Sequence, residues 1–257
     1  MACESRRPAP RPLWWLLPAA VWLVVASPSS NVRCDPPAAA PAAEQAADAP
    51  THYMGREIAT TMHYAGAPWL LRESRQREED CKRLLQELHV QPGQVLCDMG
   101  CGNGFYTLKL ARLTGRQGKV YAVDIQPQML EMLKRRAREA NVDNVVPILG
   151  GLDDPHLPSA AFDLVLMVDV YHEFSHPHEM LQAIRKCLKP AGRIALVEFR
   201  AEDASVPIKP LHKMSKQQIL KELPANGLKL AGQYDALPWQ HLMFFTRDEV
   251  DARAERK

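Results

Sequence analysis

The stretch Cys97-Asp98-Met99-Gly100-Cys101-Gly102-Asn103-Gly104 decides how the chain is read. It ends a short apolar run, residues 94–98, of a length that suits a buried strand. Apolar residues return to helical spacing over residues 105–113. Three glycines at such a junction let the backbone turn sharply and approach a ligand where a Cβ would clash. The amides that open the following helix then face that ligand.

Outward from this turn, strands and helices alternate. A helix is expected over residues 80–89, with Leu84, Leu85 and Leu88 on one side. After the turn come a strand at 119–124, a helix at 127–140 that opens on Pro127, and a strand at 145–149. Residues 162–170 are a nearly continuous apolar run, as a central strand covered on both faces would be. A helix at 177–188 leads through Lys189-Pro190-Ala191-Gly192, expected as a turn, to a strand at 193–199. Ser215 suits the N-cap of a helix that stops at Gly227. Strands at 228–235 and 241–246 follow with no helix between them. The pattern predicts an α/β fold, a doubly wound and mostly parallel seven-stranded sheet closed by a C-terminal antiparallel hairpin. Ligands bind such sheets beyond the carboxyl ends of the strands.

Those ends carry suitable chemistry in order. Asp98 stands two residues before Gly100. Asp124, with Ile125 beside it, ends the second strand 24 residues past Gly100, where a carboxylate can accept from both ribose hydroxyls of an adenosine. Gly150-Gly151-Leu152-Asp153-Asp154 follows the third strand and can reach an adenine amine. Asp169-Val170-Tyr171-His172-Glu173-Phe174 follows the fourth. A dinucleotide fingerprint, Gly-x-Gly-x-x-Gly, places its third glycine one residue later than here.

The set resembles class I S-adenosylmethionine (SAM)-dependent methyltransferases, over residues 77–246. Asp98 to Gly104 is similar to the family's first motif, Asp124 to its ribose-binding acid, Leu152 with Asp153 to its adenine-binding stretch, and Leu188–Arg193 to its "LKPGG" turn. The resemblance implies a Rossmann-like fold and SAM as cofactor. It implies binding roles for Asp98, Gly100, Cys101, Gly102, Gly104, Asp124, Ile125, Leu152, Asp153 and Asp169. The acceptor is expected to be a small molecule, with His172 as a general base if it must lose a proton and Tyr171 beside it. Glu198 and Arg200 are candidates for the pocket floor. Residues 51–79 are expected as a cap over the site, with Arg56, His63, Tyr64, Trp69 and Arg72 as substrate contacts, and residues 80–250 as the catalytic domain. Two other readings stay open: a SAM-binding protein without catalysis, and a nicotinamide-dependent oxidoreductase.

His172-Glu173-Phe174-Ser175-His176 matches the HExxH pattern, in which two histidines share one helix face. Pro177 disfavours helical geometry at His176, so no metal site is expected. The 257 residues carry 32 basic and 30 acidic side chains, a net charge of +2. That balance leaves out a nucleic-acid footprint. The six cysteines lack zinc-ribbon spacing and are expected as free thiols. Residues 1–30, basic and then apolar, read as a signal peptide or membrane anchor, and 31–50 as a disordered Pro/Ala linker. They imply an exported or membrane-anchored protein, with membrane association through this segment. The cofactor, made in the cytosol, favours the cytoplasmic alternative. Oligomeric state is left open.

Overall fold

The computed structural model describes residues 50–248. Strand β6 (Phe162–Val168) lies at the middle of the sheet because it is apolar on both faces. Val165 and Met167 pack with Met180, Leu181 and Ile184 on one side. Leu164 and Leu166 pack with Leu84, Leu88 and Leu110 on the other. These residues come from α5 (Pro177–Cys187), α2 (Cys81–Glu87) with its C-cap Leu88, and α3 (Thr107–Thr114).

Parallel strands flank β6. On one side stand β3 (Val95–Met99), β4 (Lys119–Asp124) and β5 (Val145–Leu149), and on the other β7 (Leu188–Phe199). Helix α4 (Pro127–Glu139) links β4 to β5, and Leu130, Leu133 and Ala137 fix it against Leu108 and Ala122. Helix α6 (Lys216–Ala225) is capped by the Ser215 hydroxyl, which accepts from the Gln218 amide. It leads to β8 (Leu228–Tyr234) and β9 (Gln240–Arg247). The strand order is β5-β4-β3-β6-β7-β9-β8. The chain runs one way from β3 and the other way from β6, so the sheet reverses between them.

The closing pair is the expected antiparallel hairpin, with β9 between β7 and β8. Several boundaries differ from expectation. Residues 189–192 lie inside β7 as a bulge: Phe162 pairs with Leu188, while Leu164 pairs with Arg193. The expected strand to residue 170 stops at Val168, because Asp169 takes φ +51° and turns the chain out of the sheet. Asp80 also has a left-handed backbone, φ +46°. It separates α1 (Arg75–Glu79) from α2 and caps α2 by accepting from the Arg83 amide. Ahead of α1 lie a small hairpin, β1 (His52–Tyr53) with β2 (Arg56–Glu57), and a 3-10 helix, Tyr64–Leu71.

The expectation of an exported or membrane-anchored protein is corrected. Among the described residues no helix is long and apolar enough to cross a membrane. The longest, α4, has 13 residues. It is about 20 Å long, short of a hydrocarbon core of about 30 Å. The N-terminal segment that prompted the expectation, and nearly all of the linker, lie outside the described residues.

Candidate active site

At the reversal point the carboxyl ends of β3, β4 and β6 open onto one cavity of about 430 Å³. Such a volume suits a cofactor or a small ligand. Its floor is the glycine turn. The Gly102 amide donates to Asp124 Oδ2 and the Gln126 amide to Asp124 Oδ1, both at 2.9 Å. The two bonds aim the nearly buried carboxylate into the cavity while leaving a lone pair free on each oxygen. Burial raises the Asp124 pKa, against the pull of those amides. Gly104 lets the turn close on α4: at φ +85°, an added Cβ would lie 2.2 Å from Leu133 Cδ1.

Of the residues assigned to cofactor or catalysis, seven meet here: Gly100, Gly102, Asp124, Ile125, Leu152, Asp169 and His172 all line the cavity. The other five do not line it. Asp98 is buried and accepts from the Thr107 hydroxyl at 2.5 Å. The Cys101 thiol packs with Leu108 and Leu130. Gly104 serves the turn, and Asp153 is exposed beside Leu152. Tyr171 is fully buried, and its hydroxyl donates to Glu222 Oε2 at 2.6 Å. Asp169 takes both of its hydrogen bonds from Gln240 Nε2, at 3.0 and 2.8 Å. Burial, with Glu79 and Glu198 nearby, holds its carboxyl well above the usual range.

The wall formed by the 3-10 turn Tyr171–Glu173 is the most polar part. Glu198, buried at the end of β7, accepts the Tyr171 and His172 amides on Oε1. Its Oε2 lies 2.6 Å from His172 Nδ1. An ionised carboxylate only accepts, so Nδ1 carries the hydrogen and Nε2 faces forward. That Nε2 lies 3.1 Å from His212 Nδ1 and 3.9 Å from Glu173 Oε1. Burial works against a charged His172, but Glu198 outweighs it and raises the pKa. Burial pushes the Glu173 carboxyl up to about 7. Arg200 instead donates to the carbonyls of Pro238 and Asp235. His176 leaves this cluster: it stands before α5 with its ring against the Ser175 hydroxyl.

Residues 51–79 cross the same strand ends. The Ala59 amide donates to the His172 carbonyl, and the Met62 amide to Glu173 Oε1. Gln126 donates to the Met62 carbonyl and Asn103 to that of Ala67. Arg56 is spent on Glu222 and the His172 carbonyl. Trp69 lines the cavity, with the Arg72 guanidinium 3.6 Å over its ring. His63 caps the 3-10 helix that Tyr64 opens.

Residues 91–242 match the methyltransferase domain family. The chain belongs to that family. It is 29% identical to a demethylmenaquinone methyltransferase of Lactobacillus johnsonii over 153 residues, 59% of this chain and 60% of the relative. It is 30% identical to a ubiquinone/menaquinone biosynthesis C-methyltransferase of Salmonella arizonae over 149 residues, 57% of each. The match thus spans less than two thirds of either relative. A SAM-dependent methyltransferase from Aquifex aeolicus superposes with a TM-score of 0.68 at 23% identity, covering 72% of this chain and 98% of its own. The [4+2]-cyclase SpnF shares the fold as well, with a TM-score of 0.54 at 24% identity, over 61% of this chain and 58% of its own. The fold alone therefore does not set the reaction.

Family membership places this domain among SAM-dependent methyltransferases. The donor set fits that ligand: a two-amide-held carboxylate for a ribose, a glycine floor without side chains, and apolar Ile125 and Leu152 for an adenine. The sequence places these residues at strand ends, and the structure brings Gly100, Gly102, Asp124, Ile125 and Leu152 to one cavity. From sequence, Glu173 is included only within the stretch after the fourth strand, without a role of its own, and His212 is missed altogether. His212 lies in a stretch without periodic pattern, residues 200–214, and carried no signal.

Proposed function

We propose that this methyltransferase acts on a small, partly apolar molecule that carries an acidic hydroxyl, such as a phenol or hydroquinone. One observation carries the reading. Beyond the glycine floor the cavity is lined by apolar Phe174, Phe199, Pro207 and Ile208 and by a polar cluster, His172, Glu173 and His212, with Lys209 and Ser175 also on the lining. An apolar ring suits those walls, and the cluster suits its oxygen. The quinone-biosynthesis names of the relatives agree with an acceptor of this kind.

SAM, when bound, supplies an electrophilic methyl on its sulfonium. The chain's own work is binding and alignment. Asp124 and the glycine turn hold the ribose end. Thr61, Met62 and Trp69 of the N-terminal segment close the cavity from above and exclude water. Holding both reactants in line can supply several kcal/mol of the barrier, on the order of 7–11 in the best intramolecular cases. Glu198 fixes the His172 ring with Nε2 toward the acceptor, where the cluster stabilises the acceptor's anion.

The test is turnover. Purified protein with SAM and a panel of phenols, catechols and hydroquinones should release S-adenosylhomocysteine above background with at least one of them, read by mass spectrometry. Binding of SAM without release for any hydroxyaromatic, but with release for amines or thiols, would remove the acceptor assignment.

A further inference from the structure

The cluster on the acceptor wall has the composition and spacing of a metal site. His172 Nε2, Glu173 Oε1 and His212 Nδ1 all lie within 4.8 Å of one another. Their separations are 3.1, 3.7 and 3.9 Å. A point equidistant from three atoms so spaced is about 2.1 Å from each, the length of a zinc bond to imidazole or carboxylate. No backbone has to move to bring the ligands together.

The surroundings agree. A ligating histidine usually donates its other ring hydrogen to a carboxylate, which fixes the tautomer and leaves a lone pair for the metal. His172 has that arrangement: Nδ1 on Glu198 at 2.6 Å, with both side chains almost wholly buried. Two carboxylates, Glu173 in contact and Glu198 behind, balance a divalent charge. Arg56, the nearby cation on the capping segment, is already paired with Glu222. Two imidazoles and one carboxylate select a first-row transition metal over magnesium or calcium, which want oxygen ligands. Three protein ligands leave a coordination position open, as catalytic sites do. All three residues line the cavity, so a ligand in that position comes from the acceptor chamber.

We propose that His172, Glu173 and His212 bind a divalent transition-metal cation whose open position takes the hydroxyl oxygen of the methyl acceptor. The cation replaces the hydrogen shared between His172 and His212; it polarises the acceptor's hydroxyl, whose proton leaves to solvent, and it holds the resulting oxyanion that takes the methyl from SAM. The second half of this inference rests on the acceptor reading given above; the metal site itself does not.

The site differs from the HExxH pattern in the sequence, because its third ligand is His212 and not His176. That difference makes the test specific. Untagged protein, stripped with a chelator and titrated with zinc chloride at neutral pH, should bind one equivalent. His212→Ala should weaken zinc binding by at least about 10-fold, and Glu198→Gln by about 10- to 100-fold through loss of the ring's support. His176→Ala should bind zinc like the parent. Cobalt(II) substitution should give ligand-field bands without a thiolate charge-transfer band, which separates this site from the buried cysteines. Absence of saturable zinc binding, equal binding by His212→Ala, or a thiolate band each overturns the site. A stripped enzyme with full turnover overturns the role of the cation and leaves the acceptor reading standing. Failure of every hydroxyaromatic in the turnover panel, with zinc still bound, removes the acceptor reading and leaves the site.

Discussion

Replacing Asp98 with Asn should change how stability depends on pH. Asp98 is 3% exposed and receives the Thr107 hydroxyl at 2.5 Å. Burial, the largest influence, pushes its carboxyl up from 3.8 to about 6, against the Thr107 bond and the Arg75 charge. The folded protein therefore keeps a proton that the unfolded chain releases between about pH 4 and 6. Native protein binds more protons in that window, so stability falls as pH rises through it. A displacement of about two pKa units costs about 3 kcal/mol once both states are ionised, with about 2 kcal/mol of it accruing between pH 4 and 7.5. The side-chain carbonyl of the Asp98→Asn variant can still accept from Thr107, but the amide does not titrate. Any fixed packing cost of the amide is the same at both pH values and cancels. The variant should gain about 2 kcal/mol on the parent between pH 4 and 7.5, or about 4–8 °C in Tm for a domain of this size. Urea or thermal unfolding of both proteins at the two pH values measures it. A stability gap that does not move with pH would refute the buried-acid reasoning.

Other outcomes follow from single contacts. Gly104→Ala combines a left-handed backbone with a Cβ 2.2 Å from Leu133 Cδ1, and Leu133 is fully buried. Strain and overpacking together should cost about 2–5 kcal/mol, read as a drop in the urea midpoint. Glu222→Gln removes the charge that holds Arg56, Tyr171 and Gln218. Breaking a buried pair costs about 3–5 kcal/mol. Hydrogen exchange should therefore quicken over residues 52–59, and unchanged protection there would show that Arg56 does not pin the segment.

The sheet and the glycine-turn side of the cavity were legible because the information is local. A strand end is where a parallel sheet presents its ligands, so Gly100, Asp124 and Leu152 could be assigned by position. The misreadings came from non-local terms. Asp169 and Asp80 take left-handed backbones that apolar periodicity does not signal. The place of β9 between β7 and β8 was not read at all, because it depends on sheet pairing. Tyr171 reads like a pocket residue, yet its hydroxyl is claimed by Glu222, 51 positions away. The partners of His172 are equally remote: Glu198 is 26 and His212 40 residues along the chain.

The most direct measurement is calorimetric titration of SAM into the parent protein and into Asp124→Ala, with NADH as a control ligand. Asp124 should bind the ribose through a carboxylate already aimed by Gly102 and Gln126. SAM should therefore bind the parent with one-to-one stoichiometry, and binding to Asp124→Ala should fall below detection while the variant keeps a cooperative melt. Undiminished SAM affinity in that variant, or tighter binding of NADH than of SAM by the parent, would contradict the assignment of this cavity.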